Sequence, residues 1–194
     1  MGVMVAARRR AWLTDAAMRR AVLTLGAATA VVLTGCSGGT PPPPPPAPPP
    51  PVPVSAAPVV PPDPQPAKPG PCPYLDNTFV SDANGQRVSK AQVSADAPHP
   101  ACFFYALTGK LQLTARVYTG TKEVARALVD KVAPVATSSP ATEPPGWQGG
   151  YQPTDAGAVY AVAKEGVAVV VTTNQKQTVK ARTVVKQVIT KLAL

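Results

Sequence analysis

The sequence predicts an α+β domain, with an antiparallel sheet built from two helix–hairpin units plus a C-terminal helix, and helices mainly on one face. Two observations carry this prediction. Residues 111–118 alternate between apolar and polar side chains, as a strand with one buried face does. The predicted elements of residues 72–194 also follow in the order helix, hairpin, helix, hairpin, helix.

The first unit opens with a short helix over residues 72–82. Leu75, Phe79 and Val80 have helical spacing within it, and a proline near the start of a helix is tolerated. Asn84-Gly85 then gives a strong turn signal.

A hairpin completes this unit, with residues 101–107 as its first strand and residues 111–118 as its second. The tripeptide Thr108-Gly109-Lys110 connects them. On the second strand we expect four residues to face the core (Leu111, Leu113, Ala115 and Val117) and four to face water (Gln112, Thr114, Arg116 and Tyr118).

The second unit repeats this order. Thr121 can cap a helix that carries Glu123 in its first turn and ends before Pro134. Residues 158–163 and 167–172 then form a hairpin, whose second strand is almost continuously apolar and is therefore predicted to be central. The last helix is predicted to begin after a cap at Thr173 or Asn174 and to end near Leu192.

The chain divides into three parts, of which residues 1–35 are predicted to be a lipoprotein signal peptide. Five arginines precede an apolar run at residues 21–34, too short for the ~20 residues that span a bilayer. The run ends in Leu33-Thr34-Gly35-Cys36, which resembles the lipobox of bacterial lipoproteins. Cys36 is the predicted lipidation site, and two acyl chains anchor a protein durably. The general secretory and twin-arginine export routes, and a start at Met1 or Met18, stay open.

Residues 36–71 are predicted to be the lipidated cysteine and a proline-rich, disordered linker, and residues 72–194 the globular domain. A proline-rich linker favours polyproline II and would hold the domain away from the membrane. A ligand for a proline-recognising domain is the alternative. With Cys36 lipidated, Cys72 and Cys102 remain as a disulfide pair in an oxidising compartment, which contributes roughly 3–4 kcal/mol.

Charge and motifs exclude several function classes. The net charge is +9, but five arginines lie in the predicted signal peptide, so the mature protein is only mildly basic. No nucleic-acid-recognition motif accompanies this charge, and we expect no nucleic-acid partner. His99 is the single histidine, and Ser138 and Ser139 have no other candidate base, so the sequence predicts no catalytic site, no metal site and no cofactor.

Two features are candidate binding elements. A long loop over residues 133–155 carries Trp147 and Tyr151, which would contact a sugar or a lipid if exposed; the alternative is that Trp147 folds back onto the core. A basic face on the last helix would meet anionic polymers or headgroups, unless it is only solvated. Its residues are Lys176, Lys180, Arg182, Lys186 and Lys191.

Four segments together resemble an actinobacterial, especially mycobacterial, lipoprotein family that is known only as a domain of unknown function. They are Cys72-Pro73-Tyr74-Leu75, Ala101-Cys102-Phe103-Phe104-Tyr105, Gly146-Trp147-Gln148-Gly149-Gly150 and Thr173-Asn174-Gln175. The resemblance covers about residues 71–194. It implies an envelope lipoprotein and brings no activity and no catalytic residues.

The leading functional hypothesis is a protein anchored by lipid to the outer face of the cell membrane, with its domain projecting into the envelope. The domain would be a non-catalytic binding module for a partner protein, a glycan or a lipid component. A carrier of a lipid or other hydrophobic ligand is the second hypothesis, and an envelope hydrolase that uses Ser138, Ser139 or His99 is the third.

Overall fold

A computed structural model describes residues 57–194. The predicted signal peptide, Cys36 and the linker up to residue 56 lie outside the described residues. Within them, eight strands form one antiparallel sheet accompanied by three helices, which confirms the predicted α+β class. The elements are β1 (Lys68–Pro69), α1 (Asn77–Asn84), β2 (Val88–Val93), β3 (Cys102–Ala106), β4 (Leu111–Thr119), α2 (Lys122–Val132), β5 (Ser139–Ala141), β6 (Gln148–Thr154), β7 (Gly157–Lys164), β8 (Val167–Thr173) and α3 (Thr178–Leu192).

The two predicted hairpins, β3–β4 and β7–β8, are present and meet at the centre of the sheet. The strand order is β1-β2-β3-β4-β8-β7-β6-β5, and β4 pairs with β8 from Leu113↔Thr173 to Thr119↔Val167. The apolar strand β8 is therefore central, as its composition predicts, because both of its faces are covered. Val169 and Val171 belong to one buried cluster, and Ala168 and Val170 belong to the other.

Helices cover both faces of the sheet, two on one face and one on the other. α1 and α3 pack on what we call the first face, where Phe104, Leu113 and Val185 are fully buried. α2 packs on the second face through Leu128 and Val129, against the alanines and valines of β7 and β8. The helices are thus mainly on one face, and α2 is the exception.

A β-bulge reverses the expected facing of two residues at the start of β4. Tyr105 pairs with Leu111 while Phe104 pairs with Leu113, so Gln112 has no partner of its own on β3. A bulge re-aims side chains in this way. Gln112 is 1% exposed and Leu111 is 45% exposed, so the predicted wet position is buried and the predicted core position faces water.

Two helices begin later than predicted. α1 starts at Asn77 because the side chain of Asp76 accepts a hydrogen bond from the backbone N–H of Phe79 at 2.7 Å and caps the helix. α3 starts at Thr178 after Gln177, whereas Thr173 still belongs to β8. The predicted caps Thr173 and Asn174 instead form hydrogen bonds described below.

Two strands, β5 and β6, lie within the predicted loop over residues 133–155, and for those residues the prediction is wrong. The glycines and prolines of this segment indicated a loop, but several of them fit strand positions here. A Cβ at Gly149 would lie 2.0 Å from the carbonyl oxygen of Ala161, so β6 approaches β7 more closely there than a side chain allows. Pro140 lies on the edge strand β5, where proline is tolerated. β2 was also missed, because only Val93 in it is buried.

The folded part of the chain begins upstream of the predicted boundary at Cys72. β1 pairs with β2, and the carbonyl oxygen of Pro62 accepts a hydrogen bond from Arg116 at 3.0 Å. Asp63 forms ion pairs with Lys131 at 2.8 Å and with Arg116 at 3.7 Å. These contacts join residues 60–69 to the second face, so this stretch is not part of a free linker.

Candidate functional site

Trp147 is not an exposed binding residue. Its side chain is 3% exposed and belongs to the first-face core, so the prediction that it meets a ligand is wrong and the alternative, that it folds back, holds. Burial of so large an aromatic surface stabilises the fold and removes the ring from solvent. Lys164 Nζ lies 5.9 Å from the centroid of the ring, within cation–π range.

Tyr151 is half-buried on β6 and is held by a neighbour on β7. Its ring stacks on that of Tyr160, with centroids 5.6 Å apart and planes at 9°. The Tyr160 hydroxyl donates a hydrogen bond to the carbonyl oxygen of Glu143 at 2.9 Å, and burial raises the pKa of this phenol. Tyr160 and the buried Trp147 therefore fix the segment before β6 to the sheet, and the ring of Tyr151 is stacked on that of Tyr160.

The five basic residues predicted to form one face do not lie together. At 100° per residue, Lys180 and Arg182 are about 200° apart around α3. Arg182 and Lys186 pair with Glu143 at 3.3 and 3.5 Å. Lys180 Nζ donates to the carbonyl oxygen of Asn84 at 2.9 Å, on the other side of the helix.

The remaining two basic residues are separate from both groups. Lys176 precedes α3 and donates to the carbonyl oxygen of Thr154 at 2.8 Å, while Lys191 is exposed in the last turn. Lys180, Arg182, Lys186 and Lys191 lie on the half of α3 away from its buried residues, but the first three form two groups with different bonding partners, so a basic binding face there stays a prediction.

The candidate hydrolase residues lie on different parts of the sheet. His99 is in the connection before β3, whereas Ser138 and Ser139 lie at β5, on the opposite edge. Five strand spacings of ~4.8 Å separate β3 from β5, or roughly 24 Å. A serine–histidine pair needs a hydrogen bond of about 3 Å, and this topology does not bring these residues together.

A buried amide cluster where the start of β4 meets the end of β8 is a feature that the sequence did not predict. Asn84, at the end of α1 and fully buried, donates from Nδ2 to Gln112 Oε1 at 2.9 Å and to Asn174 Oδ1 at 3.2 Å. Thr173 donates its hydroxyl to Asn84 Oδ1. Gln112 Nε2 donates in turn to the carbonyl oxygen of Arg87 at 3.3 Å.

This cluster is satisfied, which gives it a structural role. Among residues 57–194, no buried side-chain nitrogen or oxygen lacks a hydrogen-bond partner. The network joins α1, β4 and β8, and the hydrogen bonds of its buried groups are made within the protein. The sequence signal for this cluster was Gln112, a polar residue inside an alternating strand. The alternation predicts that Gln112 faces water, and only the bulge explains why it is buried.

The strongest candidate binding site is a cleft of about 450 Å³ beside α2, which we call the α2 cleft. Val129 and Ala163 contribute apolar surface to it, and Gly149 brings backbone without a side chain. Its charged residues are Lys122, Arg126, Asp130, Lys164 and Glu165.

Charges at the α2 cleft are only partly paired. Lys122 and Glu165 form an ion pair at 3.8 Å, with side chains 48% and 80% exposed, so water screens it. Arg126 and Lys164 form no ion pair with another described residue. Val135, 83% exposed, completes an apolar and charged surface that a partner can contact.

The described part of the chain shows neither a metal cluster nor a membrane-spanning helix. No three residues among its histidines, cysteines, aspartates and glutamates come together as metal ligands. None of its three helices has the length and apolar character needed to cross a bilayer. Both statements concern residues 57–194.

Comparison with known proteins identifies one relationship. Residues 52–194 match the family DUF2020, which is described as a domain of unknown function. The chain belongs to the DUF2020 family. No curated protein matches the chain. The DUF2020 match starts before Cys72, in agreement with the ordered contacts of Pro62 and Asp63, so the segment upstream of Cys72 is part of the DUF2020 domain.

Proposed function

We propose that this DUF2020 protein is a lipid-anchored lipoprotein of the actinobacterial cell envelope, attached through Cys36 to the outer face of the cell membrane. The observation that carries the proposal is the disulfide between Cys72 and Cys102, with an S–S distance of 2.05 Å. Disulfides persist in oxidising compartments, and the lipobox ahead of this domain requires export to such a compartment. The disulfide and the lipobox thus support the same location.

The domain acts as a non-catalytic binding module, and the α2 cleft is the surface that contacts its partner. Three basic and two acidic side chains line the cleft, and this mixture favours a partner protein over a uniformly anionic polymer. The exposed Val135 adds the apolar contact that protein interfaces usually contain.

A hydrophobic carrier receives less support. Such a carrier would hold its ligand between the sheet and the helices of the first face. That space is filled by Phe104, Leu113, Val171, Val185 and Val188, each less than 2% exposed. Close packing of this kind leaves an acyl chain no room unless the core rearranges.

Replacing Cys36 with serine tests the anchor. The wild-type protein should remain with washed membranes, and intact mass analysis should find acyl groups on Cys36. The C36S variant should be lost from membranes after a high-salt wash, because salt screens residual electrostatic attraction while acyl chains resist it.

The matched control for C36S is Ser37→Ala, which leaves the thiol in place and should behave as wild type. A bare thiol at position 36 in the native protein would contradict the proposed anchor. So would a C36S variant that stays with membranes after the wash.

Replacing Arg126 with glutamate tests the α2 cleft. A photoreactive residue at Val135 should crosslink a partner in whole cells, and Arg126→Glu should reduce this adduct about tenfold, equivalent to ~1.4 kcal/mol of binding free energy. The control is Lys191→Glu, which reverses an exposed charge on α3 and should leave the adduct unchanged. Equal adduct in both variants would exclude the α2 cleft as the contact surface.

A further inference from the structure

The β3–β4 hairpin ends in an apolar protrusion, residues 107–111, which we call the hairpin tip. Leu107 is 69% exposed and Leu111 is 45% exposed, with Lys110 beside them. The bulge in β4 turns Leu111 outward and Gln112 inward. The fold therefore exposes a leucine at the tip and buries an amide behind it, and the hydrogen bonds of this amide to Asn84 and Arg87 offset the cost of its burial.

Other exposed apolar surface lies at the same end of the sheet. Val179, in the first turn of α3, is 49% exposed and follows the end of β8, which pairs with the start of β4. Leu107, Leu111 and Val179 are three of the five large apolar side chains that are exposed among residues 57–194. Leu107 and Val179 stand on exposed segments, while Leu111 also lines a cleft of about 320 Å³ at the same end of β4, β7 and β8.

Charges around the hairpin tip are mainly positive. Arg87 before β2, Lys90 on β2 and Lys110 in the β3–β4 connection are exposed, and Lys176, which precedes α3, donates to the carbonyl oxygen of Thr154 at the end of β6. The acidic residues at this end are Asp82 and Asp155. Exposed leucines flanked by long cationic side chains are complementary to an anionic bilayer, where leucines enter the acyl boundary and lysines reach the headgroups.

We propose that the hairpin tip docks on the surface of an anionic phospholipid bilayer. This proposal rests on the proposed anchor, because a tether at Cys36 keeps the tip at high effective concentration next to the membrane and makes a weak contact sufficient. The linker predicted from the sequence would, as polyproline II at ~3.1 Å per residue, be long enough to let the domain turn its tip toward the bilayer.

Docking through the tip orients the α2 cleft. The tip lies beside the first residue of β7, Gly157, whereas the cleft includes Lys164 and Glu165 at the other end of that strand. Eight residues at ~3.3 Å each separate the two ends by roughly 25 Å. With the tip on the membrane, Lys164 and Glu165 would therefore lie at the end of the domain that is away from the membrane. A partner protein in the envelope could reach the α2 cleft there.

The experiment uses the full-length, processed protein reconstituted into vesicles. The vesicles contain phosphatidylcholine with phosphatidylglycerol, and the lipids carry bromine on their acyl chains to quench tryptophan at membrane depth. In the Leu107→Trp variant we expect emission to fall about twofold in these vesicles and not in phosphatidylcholine alone. Adding Lys110→Glu to this variant should restore the emission.

The matched control is Val135→Trp, an equally exposed position beside the α2 cleft, whose emission should not change. Protein that floats with the vesicles while the Leu107→Trp emission stays constant would overturn the tip proposal and leave the anchor intact. Equal quenching at both positions would also overturn it. Protein that does not float would overturn both proposals, because neither acyl chains nor the tip would then bind the bilayer.

Discussion

Replacing both Cys72 and Cys102 with alanine is expected to lower the free energy of unfolding by about 3–4 kcal/mol. The disulfide closes a loop of 30 residues. Without it the unfolded chain gains conformational entropy, and for a loop of this size the gain stabilises the unfolded state by about 3–4 kcal/mol. Both cysteines are buried in the first-face core, at 8% and 0% exposure. The bond ties the segment before α1 to the start of β3, so its loss also loosens the attachment of α1.

Chemical denaturation of the oxidised protein and the double variant measures this difference. Oxidised wild type should unfold at a higher urea concentration than reduced wild type, and the reduced wild type should resemble the double variant. Cys36→Ser is the control, because it removes a thiol outside residues 57–194 and should leave the unfolding transition unchanged. Equal stability of oxidised and reduced wild type would contradict the prediction.

Replacing Asn84 with alanine is expected to destabilise the domain by about 2–4 kcal/mol. The change removes the acceptor of the Thr173 hydroxyl and the donor to Gln112 Oε1, in a site without access to water. Each buried polar group left without a partner costs about 1–3 kcal/mol. The variant also leaves a cavity between α1 and the central strands.

Thermal or urea unfolding measures this loss, and Asn77→Ala is the matched control. Asn77 is exposed at the start of the same helix, so its replacement should change stability by less than about 0.5 kcal/mol. Asn84→Asp keeps the side-chain volume but loses the amide donor. Its free energy of unfolding should therefore be well below that of the wild type. Wild-type stability of Asn84→Asp would mean that the amide hydrogen bonds contribute little.

The buried amide cluster and the hairpin tip depend on the same bulge. Gln112 turns inward to meet Asn84, and Leu111 consequently turns outward. The Asn84 variants therefore test the buried hydrogen bonds that the bulge makes possible. The Leu107→Trp variant tests the exposed tip that the same bulge helps to form.

The sequence by itself determined the features that depend on local pattern. Alternation in β4 and the apolar run in β8 predicted the two hairpins, and Thr121 caps α2 as predicted, accepting from the backbone N–H of Val124. The cysteine pairing also followed from the sequence, since the predicted lipidation of Cys36 would leave two thiols, and the disulfide is present. These predictions succeed because side-chain period and capping chemistry act over a few residues.

Tertiary structure alone decided which side chains those elements bury. The bulge at Gln112 comes from pairing with β3, and Gly149 is a strand residue only because β7 lies against it. Trp147 is buried because the segment before β6 folds onto the first face, and the basic residues of α3 separate because Arg182 and Lys186 pair with Glu143 while Lys180 bonds to Asn84. All four depend on contacts between residues far apart in sequence, which local propensity does not encode.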